Sequence, residues 1–84
     1  MKPVTIYTTA WCPYCHRAKA LLDKKDVPFT EIDVTMDAKR RDEMAAKAGR
    51  HTVPQIWIGD THVGGSDDLH ALEREGKLDA MLAA

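Results

Sequence analysis

The chain contains two cysteines, Cys12 and Cys15, which lie three positions apart in the segment TTAWCPYCHRAKALL. Thiols at this spacing can form a structural disulfide, supply part of a metal site or exchange electrons as a redox pair. A disulfide across so few residues closes a very short loop and constrains the unfolded chain little, which disfavours a purely structural role. A zinc site needs about four ligands, and the four histidines show no spacing typical of a metal finger. We therefore expect thiol–disulfide exchange and no bound metal.

The two thiols are expected to play different parts because they occupy different positions on a helix. Pro13 suits the first helical position, so Cys12 should be the N-cap residue. Unpaired backbone N–H groups and the positive end of the helix dipole stabilise an anion there, which favours the thiolate form of Cys12. Cys15 lies about one turn deeper, on the stripe of Ala18 and Leu22. This placement predicts an exposed attacking thiol at Cys12 and a shielded resolving thiol at Cys15.

Apolar periodicity and breaker residues predict the elements that must position these thiols. Strands are expected at Lys2–Thr8, Phe29–Val34, Val53–Ile58 and Thr61–Val63. Helices are expected at Pro13–Lys25, at Asp37–Ala48, and from an N-cap at Ser66 to Gly76, with a last turn or two in Lys77–Leu82. The first β-α-β unit requires parallel strands, whereas the closing hairpin is antiparallel. The prediction is one α/β domain over residues 1–84, a four-stranded mixed sheet flanked by helices in the order β-α-β-α-β-β-α.

Charge and hydropathy exclude several classes of function. Twelve Lys and Arg residues balance 13 Asp and Glu residues, and no basic stripe suggests a nucleic-acid partner. No apolar run approaches the roughly 20 residues that span a bilayer, so no membrane partner is expected. The segment MKPVTIYTTAW lacks the long apolar region of a signal peptide. The expected location is the cytoplasm, where structural disulfides are rare.

Three separated motifs carry a resemblance to a known family. The tetrapeptide Cys12-Pro13-Tyr14-Cys15, the TVP segment Thr52-Val53-Pro54 and the loop GGSDDL at residues 64–69 together resemble the glutaredoxins. The resemblance covers essentially the whole chain and is strongest to the small bacterial dithiol (CPYC) class, of the glutaredoxin-three type. It implies a thioredoxin-like fold and a glutathione-dependent thiol–disulfide oxidoreductase, with Cys12 as nucleophile and Cys15 as resolving residue.

The resemblance also implies the partners of the protein. Glutathione would be a co-substrate, and no cofactor would be bound. The protein partners would be disulfide-containing or glutathionylated proteins, with ribonucleotide reductase as a candidate. The chain would act as a monomer.

The resemblance implies a glutathione groove beside the cysteines. Pro54 would follow a cis peptide bond facing the thiols, since only X–Pro bonds adopt cis at reasonable cost. The backbone of Val53 would then pair with the cysteinyl backbone of glutathione, as in strand addition. Thr52 would belong to the same contact segment. Tyr14, at the mouth of the groove, would form a wall for the substrate.

The two carboxylates of glutathione would bind at different elements. The γ-glutamyl carboxylate would lie at the N–H groups that begin the third helix, at Gly65 and Ser66, with Asp67 as partner for the amine. Related proteins often carry a lysine three positions before the first cysteine, where this chain has Thr9. Arg41, on the second helix, is therefore the predicted contact for the glycine carboxylate.

Two other functions stay open at this point. A thioredoxin-like electron donor would be recharged by a flavoprotein reductase instead of glutathione, although the TVP and GGSDDL segments disfavour it. An iron–sulfur carrier would share a cluster between two chains through Cys12 and two glutathiones. The proline that follows Cys12 disfavours this reading, because cluster-binding members of the family usually carry a different tetrapeptide.

Overall fold

A computed structural model describes residues 1–83; Ala84, the last residue of the predicted domain, lies outside the described residues. The strands are β1 (Val4–Thr8), β2 (Thr30–Asp33), β3 (Gln55–Ile58) and β4 (Thr61–Gly64). The helices are α1 (Pro13–Lys24), α2 (Ala38–Ala48), α3 (Ser66–Arg74) and α4 (Leu78–Leu82). Strands β1 and β3 begin later than predicted, each directly after a proline, because proline has no N–H to donate to a sheet ladder.

The four strands form one mixed sheet in the order β2-β1-β3-β4. Strand β1 pairs with β2 in parallel, and β3 pairs with both β1 and β4 in antiparallel fashion. The predicted architecture is therefore confirmed, and α4 supplies the extra turn expected near the carboxyl terminus.

Successive side chains of the central strands point to opposite faces of the sheet and build two apolar clusters. Ile6 of β1 packs into the larger cluster, under α1, α3 and α4, whereas its neighbour Tyr7 packs into the smaller one, under α2. The larger cluster includes Leu22, Ile56, Leu69 and Leu78, and the smaller one Val34, Met44 and Trp57. Helices therefore cover both faces of the sheet.

The ends of the helices shape the region around the cysteines. Helix α2 is capped by Asp37, the residue at which the sequence predicts this helix to start, and the Asp37 carboxylate accepts the N–H of Arg40 at 3.0 Å. The predicted N-cap of α3 is wrong: Gly65 is the cap and Ser66 is the first helical residue. Asp68 explains the difference, because its carboxylate accepts the Gly65 N–H at 2.9 Å and stabilises this turn without a side chain at the cap.

Candidate active site

Cys12 is the N-cap residue of α1, with extended backbone angles. Its Sγ accepts the backbone N–H of Cys15 at 3.1 Å and donates its thiol hydrogen to the carbonyl oxygen of Val53 at 3.6 Å. The predicted position at the helix start is confirmed, but the predicted exposure is wrong, since Cys12 is only 7% exposed. These two contacts turn the sulfur inward from the tip of the helix.

Cys15 is the shielded member of the pair, as predicted, with 1% of its surface exposed. It packs on the same helical stripe as Ala18 and Leu22, which are also buried. Burial raises the pKa of Cys15 to about 12, and the hydrogen bond with Cys12 and the charge of the Cys12 thiolate act in the same direction. The Cys15 thiol therefore stays neutral as long as Cys12 is not part of a disulfide.

A groove of about 360 Å³ lies beside the cysteine pair. The structure brings to it seven of the residues predicted for glutathione binding: Tyr14, Thr52, Val53, Pro54, Gly65, Ser66 and Asp67. The Val53–Pro54 peptide bond is cis, as the resemblance implies. Since the Val53 carbonyl also touches Cys12 Sγ, the groove and the nucleophile share one residue. The first turn of α3 opens into the same groove.

Two further charged residues, Arg50 and Asp68, line the groove and were not predicted as site residues. Arg50 Nη2 lies 3.3 Å from Asp68 Oδ2. The hydrogen bond from Gly65 N–H, followed by the Arg50 guanidinium, lowers the pKa of Asp68. Gly64 is required here: its φ is +117°, and a Cβ atom would meet both side chains. Asp68, three residues after the cap, carries a sequence signal of its own, the acidic position of a capping box.

Arg41 does not line the groove. Its Nη2 donates to the carbonyl oxygen of His51 at 3.1 Å, directly before the Thr52–Pro54 segment. This contact places Arg41 beside the segment but gives it no direct position in the groove. Its predicted contact with the glycine carboxylate stays a prediction.

Cys12 also borders a second hollow, of about 260 Å³, at the start of α1. Trp11, which lines this hollow, is 93% exposed. Tyr14 is half exposed, and the Arg17 guanidinium lies 5.2 Å from the centre of its ring. Cys12 therefore lines the second hollow directly and is connected to the groove through its contact with Val53.

Within residues 1–83, no group of three or more His, Cys, Asp and Glu side chains is arranged to hold a metal ion. No helix in this part of the chain is both long and apolar enough to cross a bilayer.

Comparison with known proteins gives consistent matches. The sequence model of the family described as Glutaredoxin matches residues 4–63. A glutaredoxin of Pseudomonas aeruginosa is 68% identical over 84 residues, covering all of both chains. Glutaredoxin 3 of Escherichia coli K12 is 54% identical over 82 residues, 98% of this chain and 99% of the relative.

Among solved structures, the crystal structure of a buckwheat glutaredoxin–glutathione complex superposes with a TM-score of 0.90. It is 30% identical and covers 96% of this chain and 76% of the buckwheat chain. The sheet and helices described above are thus those of the thioredoxin-like fold.

Proposed function

Since this chain belongs to the glutaredoxin family, we propose that it reduces protein–glutathione mixed disulfides and protein disulfides, with glutathione as co-substrate. The observation that carries the proposal is the position of Cys12 Sγ. It accepts a backbone N–H at the start of α1 and touches Val53, a residue of the groove. The thiolate of a cysteine in this position can attack a disulfide held along the groove.

The reduction of mixed disulfides needs only Cys12. The Cys12 thiolate attacks the glutathionyl sulfur of the mixed disulfide, and the protein leaves as its thiolate. A second glutathione thiolate then attacks the glutathionyl sulfur on Cys12. Glutathione disulfide forms, and the Cys12 thiolate is restored.

The reduction of protein disulfides uses both cysteines. Cys12 attacks one sulfur of the substrate and releases the other as a thiolate. Cys15 then loses its proton and attacks Cys12 Sγ, which releases the second substrate thiol and leaves a Cys12–Cys15 disulfide. Two glutathiones reduce this disulfide in turn. Glutaredoxins as a class have potentials of about −200 to −230 mV, close to the glutathione pool of the cytosol, so both directions are accessible.

Glutathione is proposed to lie along the groove with its sulfur toward Cys12. Its cysteinyl backbone pairs with Val53, and its γ-glutamyl end lies at the first turn of α3, with Asp67 as partner for the amine. The buckwheat complex supports a glutathione site in proteins of this fold.

Two arginines are candidates for the glycine carboxylate. Arg41 is proposed from the family resemblance. Arg50 is a second candidate, because it lines the groove itself.

The remaining proposals concern the setting of the reaction. We propose that residues 1–84 form a single glutaredoxin domain that acts as a monomer in the cytoplasm. The coverage of nearly the whole length of two bacterial glutaredoxins supports the single domain. Disulfide-containing or glutathionylated proteins are the proposed partners.

The test is a coupled assay with a small glutathione mixed disulfide, glutathione, glutathione reductase and NADPH. Wild-type protein should cause glutathione reductase to oxidise NADPH, and Cys12→Ser should be inactive. Cys15→Ser should keep this activity but lose most reduction of a protein disulfide. If Cys15→Ser were as inactive as Cys12→Ser, the Cys12-only route would be refuted. Reduction by a flavoprotein reductase but not by glutathione would refute the glutathione dependence.

A further inference from the structure

A buried glutamine connects the groove to strand β4. Gln55, at the start of β3, is fully buried, and burying an amide costs free energy unless its polar atoms are hydrogen-bonded. Its Nε2 lies 3.0 Å from the carbonyl oxygen of Thr52 and 3.2 Å from Thr52 Oγ1. Its Oε1 lies 2.7 Å from Nε2 of His62. One amide thus holds the main chain and the side chain of a groove residue, Thr52.

The acceptors in this network determine where each hydrogen lies. The Thr52 carbonyl can only accept, so the amide nitrogen of Gln55 must face Thr52 and its oxygen must face His62. Because that oxygen can only accept, His62 must carry a hydrogen on Nε2. Thr52 Oγ1 accepts from Gln55, so the Thr52 hydroxyl hydrogen is left to donate elsewhere. Thr52 lines the groove, where an oxygen acceptor of the substrate can receive it.

His62 is itself held by the core. Its ring lies 4.7 Å from that of Trp57, at an angle of 34°. Trp57 is buried and packs edge-on against Tyr7. The chain of hydrogen bonds therefore starts from a fixed ring and ends at the groove.

We propose that His62 and Gln55 are positioning residues that act through Thr52. They fix the Thr52 main chain beside Val53 and turn its hydroxyl into a donor for a carboxylate or carbonyl oxygen of glutathione. This inference rests on the proposed function, since it assigns a task within the same groove.

The first experiment measures glutathione kinetics for Gln55→Met, which preserves side-chain length and removes the donors. The KM for glutathione should rise about fivefold, equivalent to about 1 kcal/mol, while kcat stays within about twofold. Thr52→Val should also raise KM, and the double variant should be less than additive because Gln55 acts through Thr52. Met81→Ala, a packing variant on α4, controls for lost stability and should leave KM unchanged. An unchanged KM in Gln55→Met would overturn the inference.

A matched pair at His62 keeps the test decisive if Gln55→Met does not fold. His62→Phe retains an aromatic ring against Trp57 but has no N–H, whereas His62→Gln retains a donor. The KM for glutathione should rise in His62→Phe, and His62→Gln should recover most of the loss. Equal KM values in the two variants would overturn the inference.

A spectroscopic measurement on the wild-type protein is independent of activity. Nitrogen-15 NMR should show neutral His62 as the tautomer with its hydrogen on Nε2. The Nδ1 tautomer would overturn the network even in an active protein. A wild-type protein without glutathione activity would instead refute the proposed function, while the tautomer would still test the network.

Discussion

The difference between the two thiols predicts how a limiting amount of iodoacetamide divides between them. With both cysteines free, the pKa of Cys15 is raised to about 12, chiefly by burial. At a pH of about 7.5 its thiolate fraction is then about 3 × 10⁻⁵, against about 0.09 for an ordinary cysteine. This difference of about 3,000-fold is partly offset, because a more basic thiolate is more nucleophilic by about 40-fold over the same interval. Cys15 should therefore react about 80-fold more slowly than an ordinary cysteine, even before its burial is counted.

We therefore expect about 1% or less of the label on Cys15, measured by peptide mapping of the singly modified protein. Raising the pH to about 9.5 increases the thiolate fraction of Cys15 about 100-fold but that of an ordinary thiol only about tenfold, so the share on Cys15 should grow. The Cys12→Ser variant is the control, since its only thiol should react slowly near neutral pH. Comparable labelling of both cysteines, or a share that does not change with pH, would refute the reasoning.

Four further variants test the surroundings of the cysteine pair. Arg50→Ala is expected to raise the KM for glutathione by about two- to tenfold with little change in kcat, because a groove contact is made in both ground and transition states. Arg41→Ala should have the same effect if the Arg41 guanidinium reaches the glycine carboxylate, as the resemblance implies. An effect of Arg50→Ala alone would assign the glycine carboxylate to Arg50. The change in tryptophan fluorescence on reduction should come from Trp11, beside Cys12, and a Trp11→Phe variant that keeps the whole change would assign it to Trp57. Gly64→Ala should lower the free energy of unfolding by about 1–3 kcal/mol, since φ is positive and the new Cβ meets two side chains; an unchanged denaturation midpoint would contradict this.

The fold could be predicted from the sequence because its signals are local. Alternating apolar residues indicate the strands, and Pro13 and Asp37 indicate helix starts that the structure confirms. The start of α3 was misplaced because serine is the better N-cap by side-chain chemistry. The structure uses Gly65 instead, with Asp68 supplying the hydrogen bond.

The features of the site that the sequence does not predict depend on contacts between segments that are far apart along the chain. Arg50 and Asp68 are 18 positions apart and meet because the antiparallel pairing of β3 with β4 returns the start of α3 to the segment before β3. The pairing of Gln55 with His62 likewise requires the register of that hairpin. The burial of Cys12 depends on the Val53 carbonyl, 41 positions away. Periodicity and capping rules describe neighbours along the chain and contain no information on such pairs.

Cys12 Sγ accepts one hydrogen bond and donates another. It accepts the N–H of Cys15, whereas the Val53 carbonyl accepts the hydrogen of the Cys12 thiol. In the proposed complex, the cysteinyl N–H of glutathione pairs with the Val53 backbone and offers that carbonyl another donor. Binding would then replace the contact between the thiol and Val53 and leave the contact with the Cys15 N–H. The sulfur would thus be released from Val53 when a disulfide is in place for attack.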